Sequence, residues 1–368
     1  MDEKIKITGR QFTILTTFFT IGSAILVIPS NIAAIAKQDA WIASLIGVGC
    51  GLGITLLYNA LTLLFPNMNL IQMMEKAFGK WPGKVLSLLI TIILIFLAPR
   101  VLYYVGSFLT TQIMPETPIQ AVNILFAVVI VRGVKLGLEA LARTAELMFP
   151  WFMLIYISLV ILIPSRIELE NVQPVLERGM GPIWPAVLSF LATVFLPQFL
   201  MLMIHGPNTN QPEKARKAFL VGSLIGGLVI ALIVALSILV FGPEIISQSA
   251  FPSYMIAQKI NIGNFLQRIE VVMAIMWLIS LFFRFALYLY FMALSIAYIF
   301  NLKDYRPLVL PLGLIQVALS TIIYPNTAYQ QYFDSHIWVT YFLIFGLLLP
   351  LLLFIVRGIR RMAGSKGS

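Results

Sequence analysis

Along this chain, apolar residues run in long continuous blocks separated by short polar gaps, without the alternation that a half-buried strand or a membrane barrel requires. At about 20 apolar residues per crossing, the blocks predict ten membrane-spanning helices at 11–36, 41–65, 83–112, 119–132, 138–163, 183–206, 216–241, 268–299, 307–324 and 336–357. An even number puts both termini on one side. Only two gaps are long, 164–182 and 242–267. The stretch from Pro243 to Ile260 in the second gap has the mixed polarity of a helix lying on the membrane surface. The expectation is an all-α membrane protein forming a single polytopic domain over 1–368.

Within the first block the helical pattern is interrupted at Gly22-Ser23, with Pro29 close behind. Gly and Ser are poor helix formers and Pro removes a backbone donor. Non-helical backbone at bilayer depth persists only where protein or a watery cavity satisfies its polar groups. If the spans are two inverted sets of five, at about 11–163 and 183–357, the sixth span should break where the first does. Phe195-Leu196-Pro197-Gln198-Phe199 supplies a proline and an amide in the middle of that span. Paired interruptions in corresponding helices mark the binding sites of transporters built from inverted repeats. A lone Gly-Ser could be a simple kink, and it is the second break that favours a site.

Composition agrees with a polytopic chain: 60% of residues are hydrophobic and 11% charged. The net charge of +10 does not point to nucleic acid, because the cations lie in the gaps between spans. On the side of the termini fall 18 of the 25 Lys and Arg, against five (Lys37, Arg166, Arg178, Lys259 and Arg268) on the other. By the positive-inside rule both termini are cytoplasmic. The first block has no small-residue cleavage site and reads as a span, not a leader. Cys50 stands alone, which excludes an internal disulfide, and is expected to pack as a small hydrophobe in the second span. His205 and His336 are also isolated, so no metal site is expected. No nucleophile–base set, paired carboxylates or phosphate loop points to an enzyme, and no cofactor is called for.

The segment Gly22-Ser23-Ala24-Ile25-Leu26-Val27-Ile28-Pro29 resembles the unwound segment of the amino acid–polyamine–organocation (APC) transporters. More of the chain resembles one branch of that superfamily, the GerAB-type spore germination proteins. The matching stretches run in order: Arg10-Gln11, Gln38-Asp39-Ala40-Trp41, Gly137-Leu138-Glu139 through Arg143, Glu146 and Pro150, and Asn171-Val172-Gln173-Pro174 with Gly181. Pro212-Glu213-Lys214, Arg268-Ile269-Glu270 through Trp277 to Arg284, and Asp304-Tyr305-Arg306-Pro307 complete them. The resemblance implies a LeuT-like fold of two inverted five-helix repeats with broken helices 1 and 6. It also implies the B subunit of a nutrient germinant receptor, which binds a small nutrient, typically an amino acid, in the spore inner membrane. Such a subunit acts with an A-type subunit and a C-type lipoprotein. The Pro197-Gln198 pair departs from the resemblance, which would place a Glu or another polar residue in the sixth-span break more often.

A zwitterion entering a low-dielectric site needs both charges paired. The N–H groups freed at Ser23, Ala24 and Ile25, with Gly22 allowing close approach, suit a carboxylate. Carbonyls at the first break and around Phe195 to Pro197, beside Gln198, suit an ammonium. Small residues such as Ala24 and Ala192 admit a small or medium ligand. Arg284 lies in the middle of the eighth span, where a charge costs at least ~2.5–3.5 kcal/mol. It reads as an anion contact or gate, or as half of a structural ion pair with Glu146. Arg100 lies in the outer third of the third span and is expected to snorkel outward as an anchor. Its neighbours Tyr103 and Tyr104 either line the pocket or belong to an interfacial belt. Glu139 and Arg143 are spaced as a local ion pair. Glu146, one turn on, is either part of that structural pairing or a proton carrier or cation ligand at an inner gate.

Three functions fit these features: a nutrient sensor read out by partner subunits, a proton-coupled amino-acid permease, and a ligand-gated conduit for ions or water. The scarcity of acidic residues in the spans argues against strong proton coupling.

Overall fold

The protein is described by a computed structural model covering residues 6–163, 167–209, 211–259 and 269–365. The predicted start of the eighth span at 268, Ile260, Arg166 and Arg268 lie outside the described residues, as does the side chain of His336.

The first span is two helices, α1 (Gly9–Ile21) and α2 (Ala24–Ala36). Thr8 opens α1 with a reciprocal capping box to Gln11. Helices α3 (Ala40–Leu64), α4 (Leu70–Phe78), α5 (Lys80–Gln112), α6 (Ile119–Leu136) and α7 (Leu138–Leu162) complete the first half. The second half begins with another broken span, α8 (Ile183–Val194), a 3-10 segment Leu196–Met201 and α9 (Leu202–His205). It continues with α10 (Pro212–Gln248), α11 (Pro252–Lys259), α12 (Ile269–Ile299) and α13 (Arg306–Ile322). The last span runs through α14 (Thr327–Tyr332), α15 (Trp338–Phe342) and α16 (Leu349–Ser365), joined by π-helical turns at Phe333–Ile337 and Leu343–Leu348.

Eight segments among the described residues are long and apolar enough to cross a membrane, the continuous run Ala24–Leu64 counted as one, and Arg306–Ile322 is a shorter apolar helix. Their outer faces expose large hydrophobics such as Leu63, Leu125 and Ile161 (61%, 70% and 67%). Such a surface is stable only against lipid. Cys50 joins it, facing outward on α3 instead of packing inside.

Small residues set how closely the helices meet. A Cβ on Gly222 of α10 would lie 2.5 Å from the Thr13 carbonyl of α1, and one on Gly226 2.6 Å from Thr20 Cβ. In the same way Gly47 and Gly51 of α3 leave room for Phe190 and Phe195. The ends of both broken spans meet on one side, where Ile7 N–H donates to the Asn208 carbonyl at 2.8 Å.

On the opposite side the chain covers its own helices. The segment Leu169–Val172 is fastened to α10, with Glu168 N–H and the Asn171 amide donating to the Leu239 carbonyl at 2.9 and 3.0 Å. Gly242, with φ 74°, bends α10 there. The stretch expected on the membrane surface is instead part of the bundle. In α11, Ser253 and Tyr254 are 0% and 3% exposed, and Tyr254 packs on Phe108 at 5.1 Å. Ser253 Oγ donates to the Ile25 carbonyl at 2.8 Å.

Candidate functional site

Both predicted interruptions exist. Gly22 has φ 31° and ψ −125°, outside any helical region, and its N–H closes α1 on the Phe18 carbonyl at 2.8 Å. The first N–H groups of α2 lack intrahelical partners by construction. In the second broken span Leu196–Met201 tightens into a 3-10 turn, because Pro197 cannot donate and its ring disfavours a regular α-helix.

Arg284 occupies the space between the two breaks. Its Cδ would lie 2.0 Å from a Cβ on Gly22, so the close approach that Gly22 permits is used by this side chain. Nη2 donates to the Thr193 carbonyl at 3.0 Å and Nε to the Tyr288 hydroxyl at 3.2 Å. Nη1 is buried without a partner. The rings of Phe19 and Tyr288 lie 5.6 and 5.7 Å from the guanidinium carbon. Its expected partner is elsewhere: Glu146 pairs with Arg10 at 3.2 Å and accepts from Gln11 at 3.1 Å, tying α7 to the start of α1. Glu139 and Arg143 do form the local pair their spacing predicts.

A narrow cavity lies against this arrangement, walled by Ser23 of the first break, Thr193 of the second, Tyr288, Tyr104, Arg100 and Asp334. It offers about 20 Å³ to the centre of a water-sized sphere, room for about one water. An amino acid fits only after the helices part.

Arg100 does not snorkel. It is 5% exposed and forms an ion pair with Asp334, while its Nε donates to the Tyr324 hydroxyl. Tyr104 donates to the other Asp334 oxygen at 2.8 Å, and Trp338 stacks on the guanidinium at 3.8 Å. Asp334 was missed because the last span was expected to begin at 336. The available signal was Asn326, which caps α14 by accepting from Tyr329 N–H at 2.8 Å and so starts the helix early.

Of the other expected residues, only Ser23 and Tyr104 reach the cavity. Tyr103 packs on Tyr324 at 4.9 Å, and Phe195 fills the notches at Gly51 and Gly227. Gln198 faces away and is saturated: its amide donates to Thr20 at 2.8 Å, and its oxygen accepts from Ser223 at 2.8 Å and Thr55 at 3.3 Å. The carbonyls of the second break are also engaged, that of Leu196 by Tyr58 at 3.1 Å and that of Phe195 by Gln198 N–H at 3.0 Å. Pro197 acts by shaping the turn. Ala24 and Ile25 are 0% exposed and do not line the cavity, and the Ile25 carbonyl is taken by Ser253.

The bundle with its two interrupted helices has the fold of solved membrane transporters. A nucleobase-cation-symport-1 family transporter, Mhp1, in a closed conformation with bromovinylhydantoin bound, matches with a TM-score of 0.72 at 12% identity, over 96% of this chain and 78% of that one. MhsT in complex with L-phenylalanine matches with a TM-score of 0.59 at 13% identity, over 94% and 97%. This is a multi-pass membrane protein of the LeuT-like fold.

Residues 6–328 match the family described as spore germination protein, and the chain belongs to that family. It is 33% identical to spore germination protein KB of Bacillus subtilis, over 96% of this chain and 95% of that one. It is 23% identical to the B. subtilis protein YfkT, described as a putative spore germination protein, over 98% and 99%. Spore germination protein GerLB of Bacillus cereus is 22% identical over 99% and 97%.

Proposed function

We propose that the protein is the membrane-embedded subunit of a germinant receptor, taking a small nutrient, in the first instance an amino acid, into the cavity between the helix breaks. The observation that carries this reading is Arg284, buried against the first break at Gly22 with no carboxylate within ion-pair distance among the described residues and with Nη1 unused; the first N–H groups of α2, which lack intrahelical partners, begin there. Desolvated positive charge of this kind favours an anionic group. A ligand carboxylate supplies it, and an ammonium can add to the Asp334 oxygen that, among the described residues, holds only the Tyr104 hydroxyl. Binding shifts the population of helix arrangements, which partner subunits read.

In this reading the chain is one membrane domain of two repeats, 11–163 and 183–357, with both termini on the spore-core side of the inner membrane. In the same reading an A-type subunit and a C-type lipoprotein supply the output. The second reading, an amino-acid permease, draws support from the transporters that share the fold.

Labelled amino acids offered to the purified protein, then to liposomes with and without a proton gradient, test both. Saturable binding that Arg284→Ala removes, without concentrative uptake, is the expected result. Gradient-driven accumulation would make the permease primary. Unchanged binding by a stable Arg284→Ala protein would sink the site.

A further inference from the structure

The lipid-facing side of the bundle carries a groove between α6 and α13, remote in role from the central cavity. Its walls are Ile124, Ala127, Val128 and Val131 on α6 and Leu310, Leu314, Val317 and Ala318 on α13, and its volume is about 500 Å³. Its floor forms where Gly313 lets the helices touch: a Cβ there would lie 2.4 Å from Val131. One end is not apolar. Arg132 and Lys135, three residues apart on α6, both line it. Neither has a carboxylate within ion-pair distance among the described residues.

Those cations lie just before Gly137, where α6 turns into α7. By chain alternation this is the side of the N-terminus and of the basic loops. The groove therefore runs along the membrane with two unpaired cations at one leaflet's headgroup level. Its apolar walls have no use for a soluble anion, and its charged end none for a neutral lipid. Guanidinium and ammonium together match a phosphate diester, the first as a fork and the second as a point charge.

We infer that the α6–α13 groove is a binding site for an anionic phospholipid, its acyl chains between the helices and its headgroup on Arg132 and Lys135. Basic pockets between membrane helices on the cytoplasmic side recognise such headgroups. The site also touches the sensing machinery. Gly133, between the two cations, would carry a Cβ 3.6 Å from Phe282 of α12, the helix that bears Arg284.

The test uses the full chain in nanodiscs of phosphatidylcholine with and without phosphatidylglycerol, counting retained lipids by native mass spectrometry. Wild type should keep phosphatidylglycerol in preference to phosphatidylcholine. Arg132→Gln with Lys135→Gln should weaken that preference about thirtyfold, from two headgroup-level cations. Ala318→Trp, which fills the groove and changes no charge, should also remove the bound lipid. Lys80→Gln with Lys303→Gln, two exposed cations outside the groove, should leave it in place. Equal retention of both lipids by wild type, an equal loss in the control pair, or full retention in Ala318→Trp would overturn the proposal. A stable preference for an acidic peptide over lipid would reassign the groove to a partner protein.

Discussion

Arg100 and Arg284 are 5% and 1% exposed in the same bundle, yet among the described residues only Arg100 has a carboxylate against it. Around Arg100 the protein supplies a counter-charge, Asp334, with two tyrosine hydroxyls nearby and a tryptophan face, although Nη1 there is buried without a hydrogen-bond partner as well. Around Arg284 it supplies one carbonyl, one hydroxyl and two ring edges or faces, and leaves a nitrogen unused. The first arrangement is neutral in charge and holds α5 to the last span. The second carries uncompensated charge at the point where two helices are unwound. A bundle can bear that charge when something that comes and goes completes it. Burial and the number of hydrogen bonds are alike at the two cations, and it is the carboxylate at one and not the other that separates them.

The comparison can be broken most forcefully at Asp334. Asp334→Asn should strand the Arg100 charge and cost about 3–5 kcal/mol, read as a large fall in the unfolding temperature in detergent. Replacing both residues with leucine should restore most of it, and failure to do so would mean the pair does more than neutralise itself.

Arg284→Ala should do the reverse, leaving the unfolding temperature nearly unchanged while weakening ligand binding about 10- to 100-fold, the weight of one or two charge-assisted hydrogen bonds. Arg284→Lys should retain part of the affinity, since it keeps the charge and loses the fork. A loss of stability in Arg284→Ala comparable to that in Asp334→Asn would erase the distinction.

Gly22→Ala sharpens the contrast without touching either cation. The added methyl meets Arg284 Cδ and sits on a residue with φ 31°. Strain of about 1–2 kcal/mol and a displaced guanidinium should lower affinity by about tenfold. Wild-type affinity in this variant would show that Arg284 need not lie over the break. The smallest effect belongs to Glu139→Gln, which removes an exposed pair with Arg143. It should change stability by at most about 0.5 kcal/mol and binding not at all.

The fold was legible because membrane helices announce themselves by length and polarity, and both breaks because Gly22-Ser23 and Pro197 violate helix chemistry where it matters most. The direction of individual side chains was not. Gln198 looked like a ligand contact in mid-span, but one residue of rotation in the 3-10 turn sends its amide into Thr20, Thr55 and Ser223. Arg100 lost its partner in the sequence because Asp334 is polar and fell outside an apolar window. Of the alternatives open for Glu146, a pair with Arg284 does not form and Arg10 takes its place, since pairing across the bundle depends on which helices are neighbours. Arg284 stands out in the sequence by the cost of burying a charge in mid-span.

The bond from Ser253 to the Ile25 carbonyl works as a latch between the outer cover and the hinge. Ile25 is the second residue of α2, so any swing of that half-helix must either pull α11 along or let it go. The half-helix after the first break and the helix that covers it are in this way tied into one part, a stitch across the bundle made by a single hydroxyl and a single carbonyl.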